Sequence, residues 1–336
     1  MTAKPTDTPG VVPRIPWLRT GPGFPLATLE AFPRDAAHLV DGATRGIPKA
    51  LLHADDAISR RWLVRASAIH LDEIDEVAVQ LGRPGAYFPS VNYEWGCTVP
   101  LREPAGRPPE LVRVLDWRTP GLGRHVSAAE VDGPAGPFAT LTWPGYTGVL
   151  QAGARGRFAA AINQAPLPKA GGGLLPLDWA TNKITLWRRP ALTPTHLLRP
   201  TFETAPEFAA ALETLASTPI AAPTIYSLVG CRPGETAIVE RGPSATRIRR
   251  GPGVAANVWS AVDWPATPAA PTMPAASPSS PPSRPAANTW PVLPGWPHPY
   301  SIRERASRPS SPCRWQPCRA GIWAMRPTTS RLDTTP

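Results

Sequence analysis

Apolar residues recur near helical spacing over residues 56–81, where Ile58, Trp62, Leu63, Ala66, Ile69, Ile74, Val77 and Leu81 define one face. That stretch predicts a helical region closed by Gly82 and Pro84, with His70 inside it as a structural residue. Upstream, 27–39 predicts a short helix broken at Pro33, and the Pro-, Gly- and Thr-rich residues 1–26 predict a loose arm that packs through Trp17 and Leu18. After residue 97 the character changes to short β runs. Residues 111–117, 138–143, 147–150 and 157–162 read as strands, with turns at Pro144-Gly145 and 153–156. Four more runs follow at 224–231, 236–241, 245–250 and 254–259. Between the two groups, Thr204-Ala-Pro-Glu207 reads as a capping box ahead of a helix with Phe208, Leu212 and Leu215 on its apolar face.

Composition divides the chain again. The 336 residues include 47 prolines, well above the usual ~5%, and many of them crowd beyond residue 264. Residues 265–336 hold eight arginines against Glu304 and Asp333, and so carry six of the ten net positive charges. What remains is ordinary for a soluble domain and shows no basic stripe with interleaved aromatics, so no nucleic-acid partner is expected. The tail is Pro, Ser, Ala and Arg with scattered tryptophans, a composition that cannot bury enough to order itself. It reads either as a native disordered extension or as the product of a shifted reading frame.

Four cysteines, at 97, 231, 313 and 318, are too few and too scattered for a disulfide framework. Six histidines, at 38, 53, 70, 125, 196 and 298, show no metal-ligand spacing. Neither a metal nor a cofactor is expected. The first residues contain no apolar export segment, and no run of eighteen apolar residues occurs, so no membrane span is expected and the cytoplasm is the expected location.

The chemistry concentrates at Cys97, directly after Gly96, and at Arg113 and Asp116 in the apolar run 111–117. Period-two alternation puts Arg113 on the face opposite Val112, Val114 and Asp116. A cysteine freed at a chain terminus carries its own base, because an α-amine with a pKa of about 7.7–8.0 is largely neutral just above pH 7. A neighbouring guanidinium favours the thiolate, and a carboxylate can hold the amine. The competing reading of the same residues is a buried small hydrophobe beside a structural Arg–Asp pair.

Gly-Cys-Thr with Arg sixteen and Asp nineteen positions after the Cys, in an Arg-x-x-Asp-Trp setting, resembles the N-terminal-nucleophile hydrolases of the acid ceramidase, N-acylethanolamine acid amidase and penicillin acyltransferase group, relatives of choloylglycine hydrolases. The resemblance implies cleavage between Gly96 and Cys97, an α+β fold built as a four-layer αββα sandwich of two antiparallel sheets, and hydrolysis or acyl transfer on a small-molecule N-acyl amide. The stretch 143–150, Trp-Pro-Gly-Tyr-Thr-Gly-Val-Leu, followed by 158–163, is similar to a meander that lies near the acyl site in that group, which makes Trp143, Tyr146 and Asn163 candidate substrate contacts. Asn163 is equally readable as a turn cap. Val-Ala-Ala-Asn257-Val-Trp resembles the group's Thr-Asn-His-Trp segment and makes Asn257 the candidate oxyanion donor, although Ala256 and Val258 replace its polar neighbours.

These readings divide the chain into residues 1–96, a helical segment that cleavage would release as one fragment; 97–264, the hydrolase core; and 265–336, the low-complexity tail. The two fragments are expected to stay associated. A different class of function also fits: an inactive scaffold that binds an acyl ligand, or an interaction protein, because the C-terminal part of the resembled fold is missing.

Overall fold

A computed structural model describes residues 15–91, 95–117, 121–166, 175–242, 245–260, 313–318 and 322–327. The first part is helical. Helices α1 (Phe24–Ala31) and α2 (Pro33–Ala43) flank Phe32, and Pro33 opens α2 rather than breaking a single helix. Proline costs nothing in a first helical turn, where its missing N–H would have had no intrahelical partner. The region read as one helix over 56–81 is likewise two, α3 (Lys49–Arg65) and α4 (Leu71–Leu81). Between them Ser67 takes a left-handed φ of 48°. Turning the chain there keeps Trp62, Leu63 and Ile74 buried together and buries Val77 against Leu29 and Ala36, while Ile58 and Ile69 stay exposed. Gly82 ends α4 at φ 61°, the left-handed cap that glycine adopts without strain. A short helix α5 (Phe88–Val91) leads to the strands.

Strand β1 (Trp17–Arg19) pairs in parallel with β4 (Ser127–Gly133) at the edge of a larger sheet, so the expected arm contributes a strand at 17–19, and that sheet is mixed rather than purely antiparallel. The sheet continues through β5 (Gly136–Thr142), β6 (Gln151–Ala154), β7 (Phe158–Gln164), β8 (Thr224–Gly230), β9 (Thr236–Arg241) and β10 (Thr246–Arg250), each antiparallel to the last. Residues 147–150, read as a strand, are instead the loop before β6. The second sheet places β2 (Trp95–Arg102) beside β3 (Glu110–Trp117), with β11 (Gly253–Ala255) on the outer side of β2. Two tail segments, β12 (Cys313–Cys318) and β13 (Ile322–Pro327), pair with each other, and β13 pairs with β3. The expectation of a wholly unstructured tail therefore does not hold for them. The open edge of β3 presents unpaired backbone groups, and β13 satisfies them. The rest of the tail lies outside the described residues.

The two sheets pack face to face. Val99, Leu101 and Leu111 meet Ala159, Ala161, Ile225, Val229 and Ile238, and the alanines of β7 let β2 approach closely. On the opposite face of the large sheet lie α7 (Pro194–Thr204) and α8 (Phe208–Ser217). Their Leu197, Leu198, Phe202, Leu212 and Leu215 bury against Phe158, Ile162, Tyr226 and Leu228. Glu207 is the residue that starts α8, and it makes no side-chain cap bond. Thr204 ends α7 and bonds back to Pro200 O, so the expected capping box does not form. The α+β class holds, and the layers seen are helices, large sheet, small sheet. On the outer face of the small sheet, where Thr98 and Arg102 are exposed, no described helix packs extensively, so the fourth layer of the expected sandwich is not among the described residues. A further helix, α6 (Leu175–Trp187), sits against α3, with the Trp62 Nε1 donating to Leu186 O. No described helix is long and apolar enough to cross a membrane.

Phe202 is fully buried, stacked on Phe158 at 4.6 Å between ring centroids and tilted against Phe138 at 5.4 Å. Phe202→Ala is expected to cost about 3–5 kcal/mol of stability, read as a lowered urea midpoint with an unchanged slope.

Candidate active site

Cys97 is the third residue of β2, and the strand's alternation buries Cys97, Val99 and Leu101 while exposing Thr98 and Arg102. Cys97 faces Leu115 in the β2–β3 ladder, which makes Arg113 its diagonal neighbour on the inner face. Arg113 is 1% exposed, and Val112 and Val114 are only half-buried, so the guanidinium points between the sheets. Its Nη2 donates to Cys97 Sγ at 3.1 Å and to Ile162 O at 2.7 Å, and its Nη1 makes a short bond to Gln151 Oε1. Gln151 is held in turn through its Nε2, which donates to Leu141 O. Among the described side chains no carboxylate reaches Arg113, and its Nε has no hydrogen-bond partner. Among the described residues, the partners of this buried cation are neutral oxygens and the Cys97 thiol.

The backbone of Cys97 is clamped on both sides. Its N–H donates to Asn257 Oδ1 at 2.6 Å, and its carbonyl accepts from Asn163 Nδ2 at 3.2 Å. Asn163, fully buried on β7, also donates to Ala255 O, and Asn257 Nδ2 donates to Gln164 O at 2.8 Å. These two amides tie β2, β7 and β11 together around the Gly96–Cys97 bond. Asn257 differs from expectation in two ways. It lies just beyond β11 rather than on a strand, since only Gly253–Ala255 pairs with β2. In the intact chain its carbonyl end, not its NH₂, faces Cys97, because a buried N–H requires an acceptor. Asn163 neither caps a turn nor points at free space: its NH₂ supports the Cys97 carbonyl. Asp116 lies across from Gly96 in the backbone ladder, and its side chain lies outside the described residues.

Trp143 and Tyr146 stand edge to face at 6.1 Å, and the Trp143 Nε1 donates to Leu122 O. Both line an apolar cleft walled by Leu39 and Val40 of α2, by Phe88 of α5 and by Leu122. Tyr146 Oη is buried, and burial pushes its phenol well above the ordinary range, opposed first by the Thr195 hydroxyl and then by the Arg113 charge. Gly148 is required beside it, since a Cβ there would sit 2.7 Å from Thr195 Oγ1 and 3.1 Å from Tyr146 Oη. The structure thus gathers Cys97, Arg113, Asn163 and Asn257 into one cluster and sets Trp143 and Tyr146 on an adjoining cleft. Gln151 is the participant that sequence reasoning missed; its signal is a lone amide in the apolar run Val149-Leu-Gln-Ala-Gly-Ala154.

No protein-family profile matches the chain, and no curated protein matches its sequence. Among solved structures, an N-acylethanolamine-hydrolyzing acid amidase ortholog from Caenorhabditis elegans is similar over 48% of this chain and 70% of that one, at 18% identity and a TM-score of 0.40. A likeness that low carries no functional weight, which rests on the side chains around Cys97.

Behind the cleft, His196 is buried with Thr147 Oγ1 at 2.9 Å from its Nε2 and Thr193 Oγ1 against its Nδ1. Burial, aided by the Arg199 charge, lowers its pKa to about 3, and burial lowers that of the neighbouring His70 to about 2. An unfolded histidine titrates near 6.5. Below that pH the unfolded chain takes up protons that the folded chain refuses, so stability should fall as pH drops from about 6.5 towards 3, by up to ~1.4 kcal/mol per pH unit for each histidine. Urea unfolding between pH 7 and 4 checks this, and His196→Gln should show the shallower dependence.

Proposed function

We propose that the chain is a cysteine hydrolase of linear amides that matures by cutting itself between Gly96 and Cys97. The observation that carries this reading is the buried Arg113 guanidinium placed 3.1 Å from Cys97 Sγ, with the backbone on either side of that sulfur held by Asn257 and Asn163. Maturation begins when Sγ attacks the Gly96 carbonyl carbon. The bond to the Cys97 nitrogen breaks, the thiol proton ends on that nitrogen, and a thioester remains. Water then opens the thioester, leaving a Gly96 carboxylate and a Cys97 that carries both a thiol and a free α-amine. Asn257 Oδ1, which accepts the Cys97 N–H in the intact chain, is placed to keep hold of that amine.

In turnover the α-amine takes the thiol proton as Sγ attacks the substrate carbonyl, and passes it to the departing amine. Water or a second amine then releases the acyl group, so hydrolysis and acyl transfer share every residue. Arg113 holds and favours the thiolate, and Asp116 is assigned to the α-amine. The cleft beside Trp143 and Tyr146 suits an apolar acyl group of the substrate. Residues 1–96 and 97–336 would remain associated, because Phe24 packs in the same core as Phe158 and Phe202.

Intact mass of the purified protein tests the reading. Two fragments parting at Gly96–Cys97 are expected, with Cys97→Ala uncut and Cys97→Ser cut slowly. A single uncut mass under all conditions, mild acid included, favours an inactive acyl-binding scaffold instead. On a reporter amide, Arg113→Lys should lose rate because an ammonium cannot reach Gln151, Ile162 O and Sγ together. Asp116→Asn should lose more, roughly 100-fold or beyond, and should also slow maturation; wild-type rates for either variant would remove that residue from the mechanism.

A further inference from the structure

Away from Cys97, the fold assembles three metal-ligating side chains that are not grouped by any sequence motif. Asp35 and His38 sit one turn apart on α2, and His125 ends a one-turn 3₁₀ helix at Leu122–His125 that packs on α2. One ligand atom from each of the three lies within 4.8 Å of the other two. His125 Nδ1 is 2.9 Å from Asp35 Oδ1, and the His38 and His125 rings are 5.9 Å apart, tilted by 51°. We propose that Asp35, His38 and His125 form a binding site for a divalent first-row transition ion of the zinc class.

The chemistry of the donor set selects that class. Two imidazoles and one carboxylate suit zinc, cobalt or nickel rather than calcium or magnesium, which prefer all-oxygen shells. Bonds of about 2.0–2.1 Å put neighbouring ligand atoms of a tetrahedral site roughly 3.3 Å apart. The Asp35–His125 pair already approaches that spacing, and His38, the exposed member, has room to close the remainder by rotating. Three protein ligands leave a fourth position for water. The location gives the ion a consequence. Ala36, Leu39 and Val40 on α2, and Leu122 beside His125, wall the apolar cleft that holds Trp143 and Tyr146. An ion bound across α2 and the 3₁₀ turn would pin those walls together. It would also link a residue pair before Cys97 to one after it, whether or not the chain is cut.

The experiment uses full-length Cys97→Ala protein, which is uncut and lacks the site thiol, after treatment with a chelator. Cobalt(II) and then zinc chloride are titrated, with thermal unfolding followed at each step. One ion per chain is expected, with visible d–d absorption, no near-ultraviolet thiolate charge-transfer band, and a thermal midpoint that rises with zinc. His38→Ala and His125→Ala should each weaken binding by at least about tenfold and abolish the thermal shift. His38 is exposed, so its variant should fold as the parent does, which metal-free unfolding verifies. A thiolate band would assign the ion to another cysteine and overturn the site. So would equal affinity in the His38→Ala protein, or no zinc-dependent shift at all.

Discussion

A guanidinium sealed between two sheets must be met by acceptors, and the arrangement of Arg113 organises much of what surrounds it. Each neutral oxygen that answers it comes from the large sheet: Gln151 from β6 and the Ile162 carbonyl from β7. The sulfur that answers it comes from β2, the strand next to its own. One side chain therefore stitches the sheets at the point where Cys97 sits. Removing an acceptor would leave a buried charge poorly compensated, a penalty of several kcal/mol. That cost explains why a polar cluster persists in a core otherwise filled with alanine, valine and leucine.

The rest of the site follows from how closely the sheets approach. Ala159 and Ala161 on β7 present little bulk towards β2, and Asn163 on the same face then reaches the Cys97 carbonyl. Asn257 completes the clamp from just beyond β11, and Gln164 orients it. Cys97 is thereby held at its backbone N–H and its carbonyl, with its sulfur beside a guanidinium.

The helices contribute walls of the cleft. The cleft next to Tyr146 lies between α2, α5 and the loop 143–146. Buried ion pairs hold this region in place: Arg199 on α7 bonds Glu73 of α4 and Glu203, and its guanidinium stacks over Phe24 of α1. Helices before and after Cys97 are thereby joined into one packed body.

Local pattern determined a good deal. Short β runs bounded by Pro/Gly turns marked β3, β5, β7, β8, β9 and β10, and Gly82 marked the end of α4, because strand-forming runs, turns and a left-handed cap are properties of a few neighbouring residues. The alternation in 111–117 also put Arg113 opposite Val112 and Val114, as their burial shows. What pattern could not decide depends on contacts between distant segments. Proximity of Gln151 to Arg113, the turn at Ser67 that splits one apolar stripe into α3 and α4, the loop at 147–150, and the meeting of His125 with Asp35 and His38 all arise from packing. Asn257 is the sharpest case. Its identity was readable from the chain, but which end of its amide faces Cys97 was decided by a buried N–H on β2 and a carbonyl on β7 that only the tertiary fold brings together.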